Sequence, residues 1–289
     1  MAEQMHKSDV AGTTWDPNQY LKFADHRLRP ALELLNRIPL ETPGTIYDVG
    51  CGAGNITRLI AERWPDATVY GMDNSSEMLE KAAATPSDIR WVEGDVRTWT
   101  PPETPDVLYS NAALQWVDDH DAVFPRLIDL LPAGACLAVQ MPLSWGMVSH
   151  RLMRDILADG GPGDTPIGSE PLRVAMARKW VEDADVYYDW LAPRVRHLDI
   201  WETEYVQVLQ GEDPVLEWVT STGLRPILNG LDDNDRDVFL NTYRLRLRQA
   251  YPMRADGRNL ETVKGLCAVD PEITAKGGND GRQNVRSHN

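Results

Sequence analysis

The chain has 289 residues, 42% of them hydrophobic, which is enough apolar material for one substantial core. Lys plus Arg total 29 against 44 Asp plus Glu, a formal net charge of -15, so a nucleic-acid backbone is repelled over most of the surface. A small anion remains admissible as a ligand, because salt screens that field within about 10 Å and a local cluster of cations overrides it.

Residues 1–14 are polar and unpatterned and read as a flexible leader ahead of a domain over 15–258. Asp16 before Pro17 supplies an N-cap and a first helical residue, and Leu32, Leu35 and Ile38 recur at helical spacing, so N-terminal helices precede the first strand. Apolar β-type runs then alternate with amphipathic segments: TIYDVG, a helix near 55–64, ATVYGMD, a helix near 76–84, IRWVEGD, PDVLYSN, a helix near 121–131, and ACLAVQMP. That alternation predicts an α/β fold with a doubly wound, mostly parallel sheet, and strands apolar on both faces agree with helices on both sides.

After Pro142 the rhythm breaks, and residues 143–195 carry helical patterns around the loop DGGPGDTPIG. This is expected to be a helical insertion, a common carrier of substrate contacts. A strand in RHLDIWETEYVQVLQ and helices in DPVLEWVTSTGL and DDNDRDVFLNTYRLRLRQAY follow. Residues 259–289 read as a divergent, partly disordered tail in which only GLCAV offers a short strand, leaving a sheet edge open. Cys51, Cys136 and Cys267 show no CxxC spacing, so a disulfide framework is not expected. No window resembles a signal peptide or membrane span, and the expectation is a cytoplasmic protein without a membrane partner.

The stretch IYDVGCGAGN places Gly50, Gly52 and Gly54 between a strand and a helix, where backbone without side chains approaches a ligand closely. The dinucleotide fingerprint is GxGxxG; here the pattern is GxGxG, with Asn55 in place of that last glycine. The spacing favours S-adenosylmethionine. Asp73 ends the second strand, where a carboxylate accepts ribose hydroxyls in either cofactor class. Asp95, after the third strand, discriminates: an acid there suits an adenine amino group, and acids near the loop suit a cationic ligand. Asp48 either borders that ligand or caps its own turn, and Asn111 either caps the next helix or borders the site.

At YDVGCGAGN, GMDNSSEML, VEGDVRTW and SNAALQWVDDH the chain resembles class I S-adenosylmethionine-dependent methyltransferases. YLKFADHRLRPALELLNRIPL, LAVQMPLSW, VYYDWLAP, DIWETEY and WVTSTGLRP narrow the resemblance to the trans-aconitate 2-methyltransferases, from about Trp15 to about Gly257. The resemblance implies a Rossmann-like sheet with N-terminal helices as substrate cover. It also implies a cofactor site of Asp48, Gly50, Gly52, Gly54, Asp73, Asn74, Asp95, Val96, Asn111 and Trp116, and monomethyl esterification of a tricarboxylate. S-adenosyl-L-homocysteine is the expected product.

Such a substrate calls for cations and N–H donors rather than a base, because a carboxylate with a pKa near 4 is ionised at pH 7. The candidates are Tyr20, Lys22, Arg27 and Arg29 in the N-terminal cover, Trp145 and His150 at the start of the insertion, and Arg225 in TGLRP. Tyr20, Trp116 and Trp145 either wall a sulfonium or pack in the core. No metal-ligand spacing occurs, and no metal is expected. Transfer to another small molecule through an N, O or C nucleophile remains the alternative; the oligomeric state is left open.

Overall fold

The computed structural model describes residues 28–220 and 223–273. Helix α1 (Leu28–Asn36) turns Ala31, Leu32, Leu34 and Leu35 inward. Then come β1 (Thr45–Val49), α2 (Asn55–Arg63), β2 (Thr68–Asp73), α3 (Ser76–Ala83), β3 (Arg90–Glu93), β4 (Val107–Asn111), α4 (His120–Asp129) and β5 (Cys136–Pro142). Helices α5 (Val148–Asp159), α6 (Glu170–Ala177) and α7 (Ala184–Leu191) lead to β6 (Val195–Leu209). Helices α8 (Pro214–Thr220), α9 (Arg225–Gly230) and α10 (Asp233–Ala250) precede β7 (Asn259–Ile273).

The seven strands run in the order β3-β2-β1-β4-β5-β7-β6, parallel through the first five, with β7 antiparallel to both its neighbours. Strand order reverses between β1 and β4, the place where open α/β sheets receive ligands beyond their carboxyl ends. Successive residues serve opposite faces. Ile46 packs with Val69, Val107, Leu35 of α1, Ile60 of α2 and Trp64 just beyond α2. Tyr47 and Val49 join Met72, Leu108, Phe124 of α4 and Tyr187 of α7 on the other side. Burying each such large apolar side chain contributes about 1.5–3 kcal/mol.

The expected insertion does not act as one unit. Its last helix, α7, covers the sheet, whereas α5 joins α8, α9 and α10 in a separate core of Met153, Ile156, Leu157, Val219, Ile227 and Phe239. The cap is thus assembled from two stretches of chain on either side of β6.

The last strand differs most from expectation. In place of at most a short strand in GLCAV, β7 is 15 residues long and pairs with β6 from Asn259 back along its length. Its first half inverts the usual alternation: Asn259 and Glu261 are buried while Leu260 is exposed. Each inward side chain is hydrogen-bonded at one atom, Asn259 donating to the Tyr251 carbonyl at 2.5 Å and Glu261 Oε1 accepting from the Ser149 hydroxyl at 2.8 Å, while Asn259 Oδ1 and Glu261 Oε2 are buried without a partner among the described residues. A pattern reader sees polar residues where a core face belongs. The leader over 1–14 and the end of the tail lie outside the described residues.

Candidate functional site

The chain leaves β1 through a turn in which Gly50, Gly52 and Gly54 have φ of +77°, +54° and +77°, a region that side-chain-bearing residues disfavour. The Gly50 and Cys51 N–H groups donate to the Met72 carbonyl at 2.7 and 3.0 Å, fixing the turn to β2. The three glycines have different duties. A Cβ on Gly50 would lie 2.2 Å from that of Ala113, so this glycine lets the turns after β1 and β4 touch. One on Gly54 would lie 2.4 Å from Trp91, so it serves packing of α2 on the sheet and does not line the cavity beside it. A Cβ on Gly52 would meet nothing within 4 Å; this is the open position.

That cavity, of about 480 Å³, lies at the carboxyl ends of β1, β2 and β4. Gly50, Gly52, Asp73, Asn74, Asp95, Val96 and Trp116 of the predicted cofactor residues line it. Asp73 accepts from the N–H groups of Gly52 at 2.8 Å and Ser75 at 2.9 Å, so its carboxylate is oriented by two bonds and retains free lone pairs. Asp95 is gripped by Arg97, with side-chain contacts of 2.5–3.1 Å, and this bonding to the charged form holds its pKa down at about 2.

Asp48 and Asn111 stand outside the lining. Asp48 is buried and accepts from the Thr57 hydroxyl in α2 at 2.6 Å, anchoring the turn from beneath. Asn111 caps no helix: the 3₁₀ turn Leu114–Trp116 begins after Ala113, and α4 is preceded by Asp119. Its Oδ1 is enclosed without a hydrogen-bond partner among the described residues, one position before the cavity-lining Ala112. Trp116, for which core packing was an option, is 60% exposed at the rim.

His120, which after VDD reads in the sequence as solvated or part of a turn, instead begins α4 buried and holds that rim. It donates through Nε2 to the Leu114 carbonyl at 2.8 Å and accepts at Nδ1 from the Tyr187 hydroxyl at 2.7 Å. Burial lowers its pKa, so the ring is neutral and ties the 3₁₀ turn to α7. Asp118, also on the rim, pairs with Arg178 beyond α6 at 2.5 Å. Spacing alone carried no signal for either contact.

Of the predicted substrate residues, Tyr20, Lys22 and Arg27 lie outside the described residues. Arg29 is otherwise engaged: it pairs with Glu33 at 2.8 Å and its guanidinium lies 5.2 Å from the Tyr205 ring, whose hydroxyl also binds Glu33. Trp145 is 45% exposed, donates to the Ala177 carbonyl, and has one ring face taken by Arg154 at 4.4 Å. His150 lies against Gly223, where an added Cβ would come 2.5 Å from Nε2, two residues before the exposed Arg225. A second cavity, of about 540 Å³ between α8, α10 and the start of β7, contains none of the predicted residues.

A methyltransferase domain model matches residues 46–134, which span β1 to the turn before β5. The YcgJ protein of Bacillus subtilis, of known structure, superposes with a TM-score of 0.54 at 12% identity, over 87% of this chain and 100% of that one. The chain is 44% identical over 258 residues to the trans-aconitate 2-methyltransferase of Pseudomonas paraeruginosa, covering 89% of this chain and 94% of the relative. It is 46% identical over 246 residues to the enzyme of that name from Methylobacterium radiotolerans, covering 85% and 94%. With a doubly wound sheet, a glycine turn and an acid at the end of β2, and 44% identity across 89% of its length and 94% of the relative's, the chain belongs to the trans-aconitate 2-methyltransferase family.

Proposed function

We propose that the protein is an S-adenosylmethionine-dependent carboxyl O-methyltransferase that forms the monomethyl ester of trans-aconitate or a related tricarboxylate. The observation that carries this reading is the lining of the β1–β4 cavity: open backbone at Gly52 below, and beside it the Asp73 carboxylate, which holds no cation among the described residues, whereas Arg97 and Arg178 offset the charges of Asp95 and Asp118. An unpaired carboxylate at the end of β2, next to bare backbone, suits ribose hydroxyls on a cationic ligand better than a pyrophosphate. The unpartnered Asn111 Oδ1 offers an acceptor beside it, so the residues present fit the cofactor.

In this reading Asp73 and Asn74 take the ribose, Asp95 and Val96 the adenine, and Gly50 and Gly52 approach the methionine part, with Trp116 over the rim. Asp48 and Gly54 support the turn from outside. When bound, the cofactor supplies an electrophilic methyl group. The acid is already ionised at pH 7, so the protein need not abstract a proton; its residues orient the two reactants and exclude water. The partner is a small molecule. The charge of -15 argues against nucleic acid, and no described helix is long and apolar enough to cross a membrane.

Transfer of labelled methyl from S-adenosylmethionine to trans-aconitate, cis-aconitate, isocitrate and neutral phenols or amines tests the reading. A base-labile ester of trans-aconitate is expected. Transfer confined to a phenol or amine would replace the substrate and keep the cofactor.

A further inference from the structure

Helix α5 carries three basic or imidazole groups within its first two turns, His150, Arg151 and Arg154, in a protein of net charge -15. Arg154 is the unusual one. It is half-buried, and among the described residues it makes no ion pair and no hydrogen bond; its one direct contact is the face of Trp145, 4.4 Å away. Burial lowers its pKa and the charge of Asp155 only partly offsets this, whereas the other large cations near the rim, Arg97 and Arg178, each hold a carboxylate. A partly desolvated guanidinium with no carboxylate hydrogen-bonded to it among the described residues is completed by a ligand anion.

The fold brings Arg154 toward the reacting end of the sheet. Trp145 follows β5, whose end lies beside that of β4, with Asn111 opposite Gln140. Through its indole N–H, Trp145 grips Ala177, and the next residue, Arg178, pairs with Asp118 on the cavity rim. On the other side, the charge of Arg154 acts on His150, which lies against Gly223 near Arg225.

We propose that Arg154, stacked on Trp145, is a specificity-determining residue that receives a carboxylate of the acid substrate not undergoing methylation. The inference rests on the carboxyl methyltransferase reading and deepens it. Stacking leaves the edge of the guanidinium, with its N–H fork, available for a bidentate contact. His150, neutral at pH 7, stands one helical turn before it, its Nδ1 3.3 Å from the Ser149 hydroxyl and its Nε2 against Gly223.

Calorimetric binding of trans-aconitate to the protein saturated with S-adenosylhomocysteine, alongside steady-state methyl transfer, decides the matter. Arg154→Ala is expected to weaken trans-aconitate binding and raise KM roughly ten- to hundredfold, leaving affinity for S-adenosylhomocysteine unchanged. Arg154→Lys should recover part of the loss, and monocarboxylic acids should lose less than tricarboxylates. Unchanged tricarboxylate affinity in both variants would overturn the proposal, as would an equal loss for every acid and for S-adenosylhomocysteine, the mark of a collapsed cap. Should the wild type transfer methyl to no acid, the activity reading fails, yet binding of the tricarboxylate still decides Arg154.

Discussion

The Thr57 hydroxyl donates to Asp48 at 2.6 Å, and the two groups, both buried, join α2 to β1 beneath the glycine turn. Burial chiefly, opposed by the Thr57 bond and helped by the charge of Asp73, lifts Asp48 from 3.8 to about 7. The folded protein therefore keeps a proton that the unfolded chain releases across that interval. The stability tied to this proton is complete below the unfolded pKa and is lost as pH rises through about 7. Relative to Asp48→Asn, the ligand-free wild type should lose on the order of 4 kcal/mol over this window in urea denaturation. Parallel stability profiles would mean that Asp48 does not titrate there.

His150 works in the opposite sense. Burial, with the charge of Arg154, lowers it from 6.5 to about 4. Its contribution is present above the unfolded pKa and is lost as pH falls through the folded one. The two slopes overlap in the wild type and oppose each other. Asp48→Asn alone should therefore grow more stable from pH 4 to 6.5, values that bracket the His150 shift, and adding His150→Gln should flatten the profile.

Gly52 and Gly54 share a left-handed backbone and should fail differently. Gly52→Ala has open space for its methyl group and should cost about 1–2 kcal/mol for the backbone conformation alone, while sharply weakening S-adenosylhomocysteine binding. Gly54→Ala adds a clash with Trp91 and should be the less stable protein in thermal denaturation. The reverse ranking would contradict the duties assigned to the two positions.

The parallel sheet was legible because Ile46, Tyr47, Val107 and Leu108 are apolar on adjacent positions, a pattern only a doubly covered sheet satisfies. The glycine turn and Asp73 were legible because both are local in sequence. β7 was not, since Asn259 and Glu261 turn inward for hydrogen bonds that alternation does not show, to Tyr251 just before the strand and to Ser149, 112 residues back. Arg29 and Arg154 show two sides of the same limit. Arg29 reads as a substrate cation, although Glu33, one helical turn on, already offered it a carboxylate; Arg154 drew no reading, because its stacking on Trp145 is visible only in the fold.

Ser149 is bound four ways: its hydroxyl donates to Glu261 and also lies 3.3 Å from His150 Nδ1, its N–H donates to the Tyr251 hydroxyl, and its carbonyl accepts from Tyr243 at 3.1 Å. Burial raises the Glu261 pKa above 4.5 despite the bonds from Tyr251 and Ser149. Glu261→Ala removes the carboxylate acceptor of the buried Ser149 hydroxyl, leaving it only the longer contact to His150 Nδ1, and should cost about 1–3 kcal/mol, with faster amide exchange over 259–264. Unaltered exchange there would show that the strand is held by its ladder alone.

The two-part cap bears on how the chain is made. Ser149 leaves the ribosome 94 residues before Tyr243 and 112 before Glu261. Met153, Ile156 and Leu157 of α5 thus emerge with their companions still unsynthesised, and the five parallel strands are complete while this apolar stripe has nothing to rest on. Nascent-chain handling, rather than the finished structure, is where substitutions in α5 should first be felt.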